Sequence, residues 1–261
     1  MQELVRIGPF ECEPQLALPV GIFIGCLGKS KKIDDMVFAL SQLNLTVRAS
    51  SRVTLGLFEK ESNTIYIQAD YGDNEEDPLW KAAKKTWVLI FESCNATFYE
   101  GYQGVPSTNI ESYVEKMELT EYCVAQRATA MIQEVKAHFP EVAGCGHLRY
   151  FDNFPAHYLE QQLAGHSQYF ADAYCQITGR RDEVYRGTWK SPVIEEWRAP
   201  LKRVKSAVFR EDREALKEVM SQLNGDALQN ATYFLEVAGV PFQLSPKKSR
   251  NLSTASLFQE E

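Results

Sequence analysis

The order of apolar patterns in the first hundred residues constrains this fold more than any other feature of the sequence. An uninterrupted apolar run at 19–27 predicts a buried strand, and a 3.6-residue apolar period predicts a helix over 31–43. Two alternating segments, 52–59 and 64–69, flank the turn-forming sequence KESN and predict a β-hairpin. A short helix and a second apolar strand at 86–93 complete the order. Strand, helix, strand, strand, helix, strand is typical of the ferredoxin-like βαββαβ fold.

Helical signals dominate the second half of the chain. They predict a helix that starts at a capping box of Thr108 and Glu111 and runs to about residue 138, and further helices at 155–177, 211–223 and 227–238. Turn-forming residues at 100–109 separate it from the first half. We therefore predict an α+β fold with a ferredoxin-like domain at residues 1–100 and a mainly helical region at 107–240. The polar segment 241–261 is predicted to be a mobile tail.

Charge and composition narrow the class of protein. The chain carries a net charge of −7, and its longest apolar run is too short to span a membrane. Residues 1–120 hold 11 basic and 17 acidic side chains, which argues against nucleic acid as the partner because phosphates would be repelled. Six scattered cysteines without a CxxC pair, and an acidic N-terminus where a signal peptide is basic, predict a cytoplasmic protein.

The sequence Gly-Lys-Ser at 28–30 raises the question of a phosphate site. A P-loop needs a glycine five positions before this glycine, and Phe23 stands there, so the loop is not of the Walker type. The predicted helix start still offers free N–H groups beside lysines, which suits a small anion. We predict a ligand site at Lys29, Ser30 and Lys32, with a plain turn and solvated lysines as the alternative.

The four histidines lie within thirty residues of one another and suggest a metal site. If 143–151 is a strand, Cys145 and His147 share one face and could bind the same ion, because side chains two residues apart on a strand point to the same side. His157 would join them from the start of the next helix. In the alternative, the histidines are core and capping residues, and His166 is a core histidine that holds a hydrogen bond.

The segment TGRRDEVYRGTW at 178–189 is the best candidate for contact with a partner. Arginines combined with aromatic residues are typical of interaction hot spots and of grips on anionic groups. The predicted contact residues are Arg180, Arg181, Tyr185, Arg186 and Trp189.

These observations leave two hypotheses for function. The first is a cytosolic, non-catalytic binding or regulatory protein, such as an inhibitor or immunity protein, that acts on a macromolecular partner, most simply another protein. The second is a small-molecule enzyme or ligand sensor with an anion or metal site on the sheet. The sequence has no nucleophile elbow and identifies no cofactor.

Overall fold

The computed structural model describes residues 3–70, 77–102, 109–146, 150–180, 184–185 and 193–242. Contacts divide the chain into two compact units, residues 1–194 and 195–261. The architecture is α+β, as predicted from the sequence.

The first unit combines a five-stranded sheet with helices. Its strands are β1 (Val5–Ile7), β2 (Phe10–Cys12), β3 (Thr46–Ser50), β4 (Gly56–Glu59) and β5 (Thr64–Gln68). Its helices are α1 (Ala17–Ile24), α2 (Lys31–Ser41), α3 (Pro78–Tyr102), α4 (Ile110–His138), α5 (Pro140–Ala143), α6 (Phe154–Ala164) and α7 (His166–Thr178).

The sheet is mixed and has the strand order β1-β2-β3-β5-β4. The pairs β2–β3 and β3–β5 are parallel, and the outer pairs β1–β2 and β4–β5 are antiparallel. Val47 pairs with Cys12 on one side and Ile65 on the other, and all three side chains are buried on the face that the helices cover. The specific ferredoxin-like topology is not confirmed by this order.

Two of the predicted strands are helices, which is why the predicted βαββαβ order of elements is not confirmed. The run at 19–27 lies largely in α1, and the run at 86–93 lies inside the 25-residue helix α3. Both segments are packed into one apolar core, so both read as continuously apolar. A continuous apolar run cannot distinguish a buried helix from a buried strand. The predicted hairpin is confirmed as β4 and β5, and the helix predicted at 31–43 as α2.

Two predictions in the second half also need correction. The helix predicted from residue 155 to 177 is two helices, α6 and α7, because Gly165 between them has a φ of 79°. The strand predicted at 143–151 is wrong where the structure describes it, since residue 143 ends α5 and residues 144–146 form a turn. Residues 147–149 lie outside the described part of the chain.

Helix α3 connects the sheet to the helical layer. It packs against β4 and β5 on one side and against α1, α2 and α4 on the other. Because α3 and α4 lie on either side of the predicted boundary at 100–109 and pack together, they belong to the same unit. Buried side chains of α3, such as Leu89 and Ile90, are part of the main apolar core.

The second unit is helical where it is described. Helix α8 (Val193–Phe209) begins at the boundary, and α9 (Arg213–Gln222) and α10 (Gly225–Val237) confirm the two helices predicted near the C-terminus. Asp212 caps α9 by accepting a 2.9 Å hydrogen bond from the Ala215 N–H. Nearly all of the predicted tail lies outside the described residues. No helix in the described ranges combines the length and the hydropathy that crossing a membrane requires.

Candidate functional site

The residues of the predicted anion site contact a carboxylate of the same chain. The Lys32 ammonium lies 3.1 Å from Oε1 of Glu134 on α4, and Lys32, with a smaller effect of Ser30, lowers the pKa of that carboxyl. Lys29 lies 5.3 Å from the centre of the Phe139 ring. The start of α2 therefore attracts an anionic group, as the dipole argument requires, and Glu134 supplies one. The binding of an external anion stays a prediction.

The predicted metal residues are only partly described. The Cys145 side chain is buried, and its main-chain carbonyl accepts a 2.6 Å hydrogen bond from Lys136. His157 is 1% exposed and lies between the rings of Tyr122 and Tyr150, with centroid distances of 5.4 and 6.0 Å. His147 lies outside the described residues. Within the described ranges no group of three His, Cys, Asp or Glu side chains could hold a metal ion.

The predicted partner-binding segment has one residue in the core. Tyr185 is 8% exposed, and its hydroxyl lies 3.2 Å from the Tyr158 hydroxyl and accepts a 3.0 Å hydrogen bond from Gln162. Arg180 is exposed and donates a 3.1 Å hydrogen bond to the Tyr174 hydroxyl. The other three predicted contact residues, Arg181, Arg186 and Trp189, lie outside the described part of the chain.

The edge of the sheet at β4 has a distinctive backbone geometry. Among the described strands, β4 has a neighbour, β5, on one side only. The carbonyl of Leu55 accepts a 2.8 Å hydrogen bond from the Gln68 N–H, and Leu57 stands opposite Tyr66 in the same register. Because backbone groups alternate in direction along a strand, the N–H and C=O groups of Gly56 and Phe58 point away from β5.

The carboxylate of Glu92 on α3 reaches this edge. The Phe58 N–H, which points away from β5, donates a hydrogen bond to it, and Asn95 donates a second one at 2.9 Å. Helix and strand approach closely here because residue 56 is glycine. A Cβ atom at that position would lie 2.4 Å from Val88 and 2.9 Å from Oε1 of Glu92. The glycine therefore allows a carboxylate to sit beside the outer strand.

Glu92 titrates unusually because of its surroundings. Burial raises the pKa of the Glu92 carboxyl, the charge of Glu121 on α4 raises it further, and the two hydrogen bonds oppose these effects, so that it reaches about 7. Tyr150 stacks on Phe91 at 6.0 Å, and burial and the charges of Glu121, Glu160 and Glu92 raise the pKa of its hydroxyl. The surroundings of Glu92 are therefore anionic.

The residues that flank Glu92 on α3 decide whether this helix could bind a catalytic zinc ion. A helix that binds catalytic zinc carries histidines one residue before and three residues after such a glutamate. Here Phe91 and Asn95 stand at those positions. A phenyl ring has no ligand atom, and the Asn95 amide is bonded to Glu92 itself. The helix therefore has the glutamate of that arrangement without either histidine.

A second buried carboxylate lies at the start of α7. Glu118 on α4 is 0% exposed, accepts a 2.6 Å hydrogen bond from the Ser167 hydroxyl, and lies 3.1 Å from Nδ1 of His166. Burial lowers the pKa of His166, but the hydrogen bond and charge of Glu118, with the charge of Glu121, raise it by more. His166 therefore holds the predicted hydrogen bond, but it is not the predicted core residue, because 37% of its side chain is exposed.

Comparison with known proteins adds no assignment, because no family model, no curated protein and no solved structure matches this chain.

The sequence patterns did not predict the roles of Glu92 and Glu118. The strand predicted at 86–93 would bring Glu92 to the surface at its end, whereas Glu92 is buried within α3. Glu118 was overlooked, although it follows Val114 and Met117 on the apolar face of α4. An acid on an apolar helical face indicates a buried carboxylate with partners, because an unpaired buried charge is too costly to keep.

Proposed function

We propose that the protein is a non-catalytic binding protein whose partner is another protein. The observation that carries this proposal is the state of Glu92, a buried acid whose pKa of about 7 suits proton transfer. Its carboxylate is held by Asn95 and by the Phe58 N–H, and the flanking positions that would ligate zinc hold Phe91 and Asn95. The site thus favours a structural and recognition role for Glu92.

The other charged groups singled out in the sequence support the same proposal. Lys32 pairs with Glu134, and His166 pairs with Glu118. Lys32 belongs to the predicted anion site, so there the chain's own carboxylate contacts a group that would otherwise bind the anion. These pairs stabilise the packing of helices, which is what a recognition scaffold needs, and an enzyme of small anions would have to break them first.

A thermal-shift screen combined with native mass spectrometry tests this function. The purified full chain is heated with nucleotides, sugar phosphates and divalent metal ions, and a tagged chain is isolated from its own cells. We expect native mass spectrometry to show the isolated chain in a defined complex with a second protein. We expect no small molecule to change the midpoint of thermal unfolding. A ligand at about a hundred times its Kd adds roughly 2.7 kcal/mol, which moves the midpoint by several degrees. Such a shift, with no protein complex, would overturn the proposal.

A further inference from the structure

We propose that the partner docks at the outer edge of β4 as an extended segment, and that this segment places a lysine or arginine beside Glu92. The inference rests on the proposed function and adds to it the surface and the kind of partner. It depends on three properties of this edge: the direction of its backbone groups, its exposed apolar side chains and its negative charge.

Gly56 on β4 offers main-chain hydrogen-bonding groups to a further strand, whereas the outward-pointing N–H of Phe58 is already bonded to Glu92. The N–H and C=O of Gly56 point away from β5, in the direction in which an added strand would lie. Extended segments that join an exposed sheet edge obtain most of their affinity from such main-chain hydrogen bonds. Proteins that avoid strand addition place lysine or proline on their edges, and the sequence of β4, Gly-Leu-Phe-Glu, has neither.

Apolar side chains lie beside these backbone groups. Leu55 is 42% exposed and Leu57 is 48% exposed, and both alternate with Gly56 along the outer strand. On a sheet, side chains of neighbouring strands contact one another directly across the pair. An added strand with apolar residues at alternate positions would therefore cover both leucines.

The charge near the edge selects a basic segment. Glu92 accepts the Phe58 N–H on the outer side of β4, and Glu121 is close enough to raise the pKa of its carboxyl further. A lysine or arginine on the face of the segment that points to α3 would offset this repulsion, because an opposite charge favours the ionised carboxylate. Charge complementarity therefore points to a basic residue at that position.

Selection from a library of short random peptides tests the surface. The wild-type full chain is the bait. Peptides that also bind the Leu57→Lys variant are discarded because they bind elsewhere on the chain. The Phe38→Lys variant is the control. Phe38 is 72% exposed on α2, so the control makes the same chemical change away from the edge. We expect peptides with alternating apolar residues that bind Leu57→Lys about tenfold more weakly and Phe38→Lys unchanged, a difference worth about 1.4 kcal/mol. Equal binding to wild type and Leu57→Lys, or no enriched peptide, would overturn the inference.

A double-mutant cycle tests the basic residue. The lysine or arginine of a selected peptide is changed to methionine, and both peptides are measured against wild type and Glu92→Gln. We expect the change to weaken binding to wild type about tenfold and binding to Glu92→Gln less than about twofold, since the amide carries no charge. An equal loss on both proteins would contradict the position of the basic residue. Peptides that bind elsewhere would overturn the edge and leave the proposed function standing, whereas a small-molecule ligand in the screen above would overturn the function itself.

Discussion

Ser167 donates a 2.6 Å hydrogen bond to Glu118, and both side chains are buried. A more exposed counterpart lies at the start of α2, where Lys32 pairs with Glu134 at 3.1 Å. One long helix, α4, therefore provides a carboxylate to the first turn of two other helices, where the positive end of the dipole favours it. These two contacts fix α2 and α7 to α4.

The Glu118 contact is expected to contribute strongly to stability. Glu118→Gln weakens a charge-assisted bond to Ser167 and leaves His166 without a counter-charge. We expect a loss of roughly 2–4 kcal/mol in the free energy of unfolding, as for other buried pairs that lose one partner. Urea unfolding measures this, with Glu115→Gln, an exposed change on the same helix, as the control. Equal stability of the two variants would show that the contact contributes nothing.

The pair of His166 and Glu118 makes stability depend on pH. The pKa of His166 is raised above its ordinary value of 6.5 in the folded protein, so its contribution is fully present below 6.5 and is lost as the pH rises through the folded value. We expect wild type to exceed His166→Gln in stability most at acidic pH, with the difference shrinking above pH 6.5. Unfolding curves across this range check the sign, and a difference that grows with pH would contradict it.

Glu92 is expected to give a second pH dependence in a lower window. Its pKa rises from 4.5 to about 7 on folding, so its contribution is present below 4.5 and is lost as the pH rises through 7. The amide side chain in the Glu92→Gln variant does not titrate, so this variant does not lose stability over that pH range. We expect wild type to lose roughly 3 kcal/mol relative to Glu92→Gln between these limits. A carboxyl NMR titration gives the pKa directly, and a Glu92 pKa at or below 4.5 would show that burial does not govern this group.

Gly56 is expected to tolerate no side chain. Because a Cβ there would meet Val88 at 2.4 Å, Gly56→Ala should destabilise the protein by roughly 1–3 kcal/mol. Gly21 on α1 has no atom within 4 Å of such a Cβ, so Gly21→Ala should be neutral or stabilising by about 0.5–1 kcal/mol. Thermal unfolding of the two variants separates the cases. A stable Gly56→Ala would mean that α3 does not approach β4 this closely.

The anion hypothesis for α2 also has a direct test. An external phosphate must replace Glu134 beside Ser30 and Lys32, so Glu134→Gln should bind inorganic phosphate about tenfold more tightly than wild type. Phosphorus NMR titration of both proteins measures the two affinities. Lys32→Met in the Glu134→Gln background should remove the gain. Weak and equal affinities in all three proteins would remove the anion site from consideration.

Local signals in the sequence predicted those elements that have clear boundaries. The hairpin of β4 and β5 was found because alternating residues flank a turn in which Asn63 adopts a φ of 46°. Helix α4 was predicted from a capping box of Thr108 and Glu111, although Asn109 caps it by accepting a hydrogen bond from the Ser112 N–H. Such signals act within a few residues and do not depend on the rest of the fold.

Segments buried on all sides were not predictable in the same way. The run TWVLIFES is rich in strand-forming residues, yet it is helical because α3 is enclosed by the sheet and by α1, α2, α4 and α5. Tertiary packing therefore overrode local propensity. The same burial hid the roles of Glu92 and Glu118, whose partners Phe58 and Ser167 lie far away along the chain.

A photo-reactive residue at position 57 tests the central claim most directly. The full chain carries p-benzoylphenylalanine in place of Leu57, or in place of Phe38 as the control, and is irradiated in its own cells. We predict an adduct at position 57 with a different protein, through an extended segment that contains lysine or arginine, and no such adduct at position 38. Equal capture of that protein at both positions, or capture at position 57 of a second copy of this chain alone, would contradict the claim that the edge of β4 binds a protein partner.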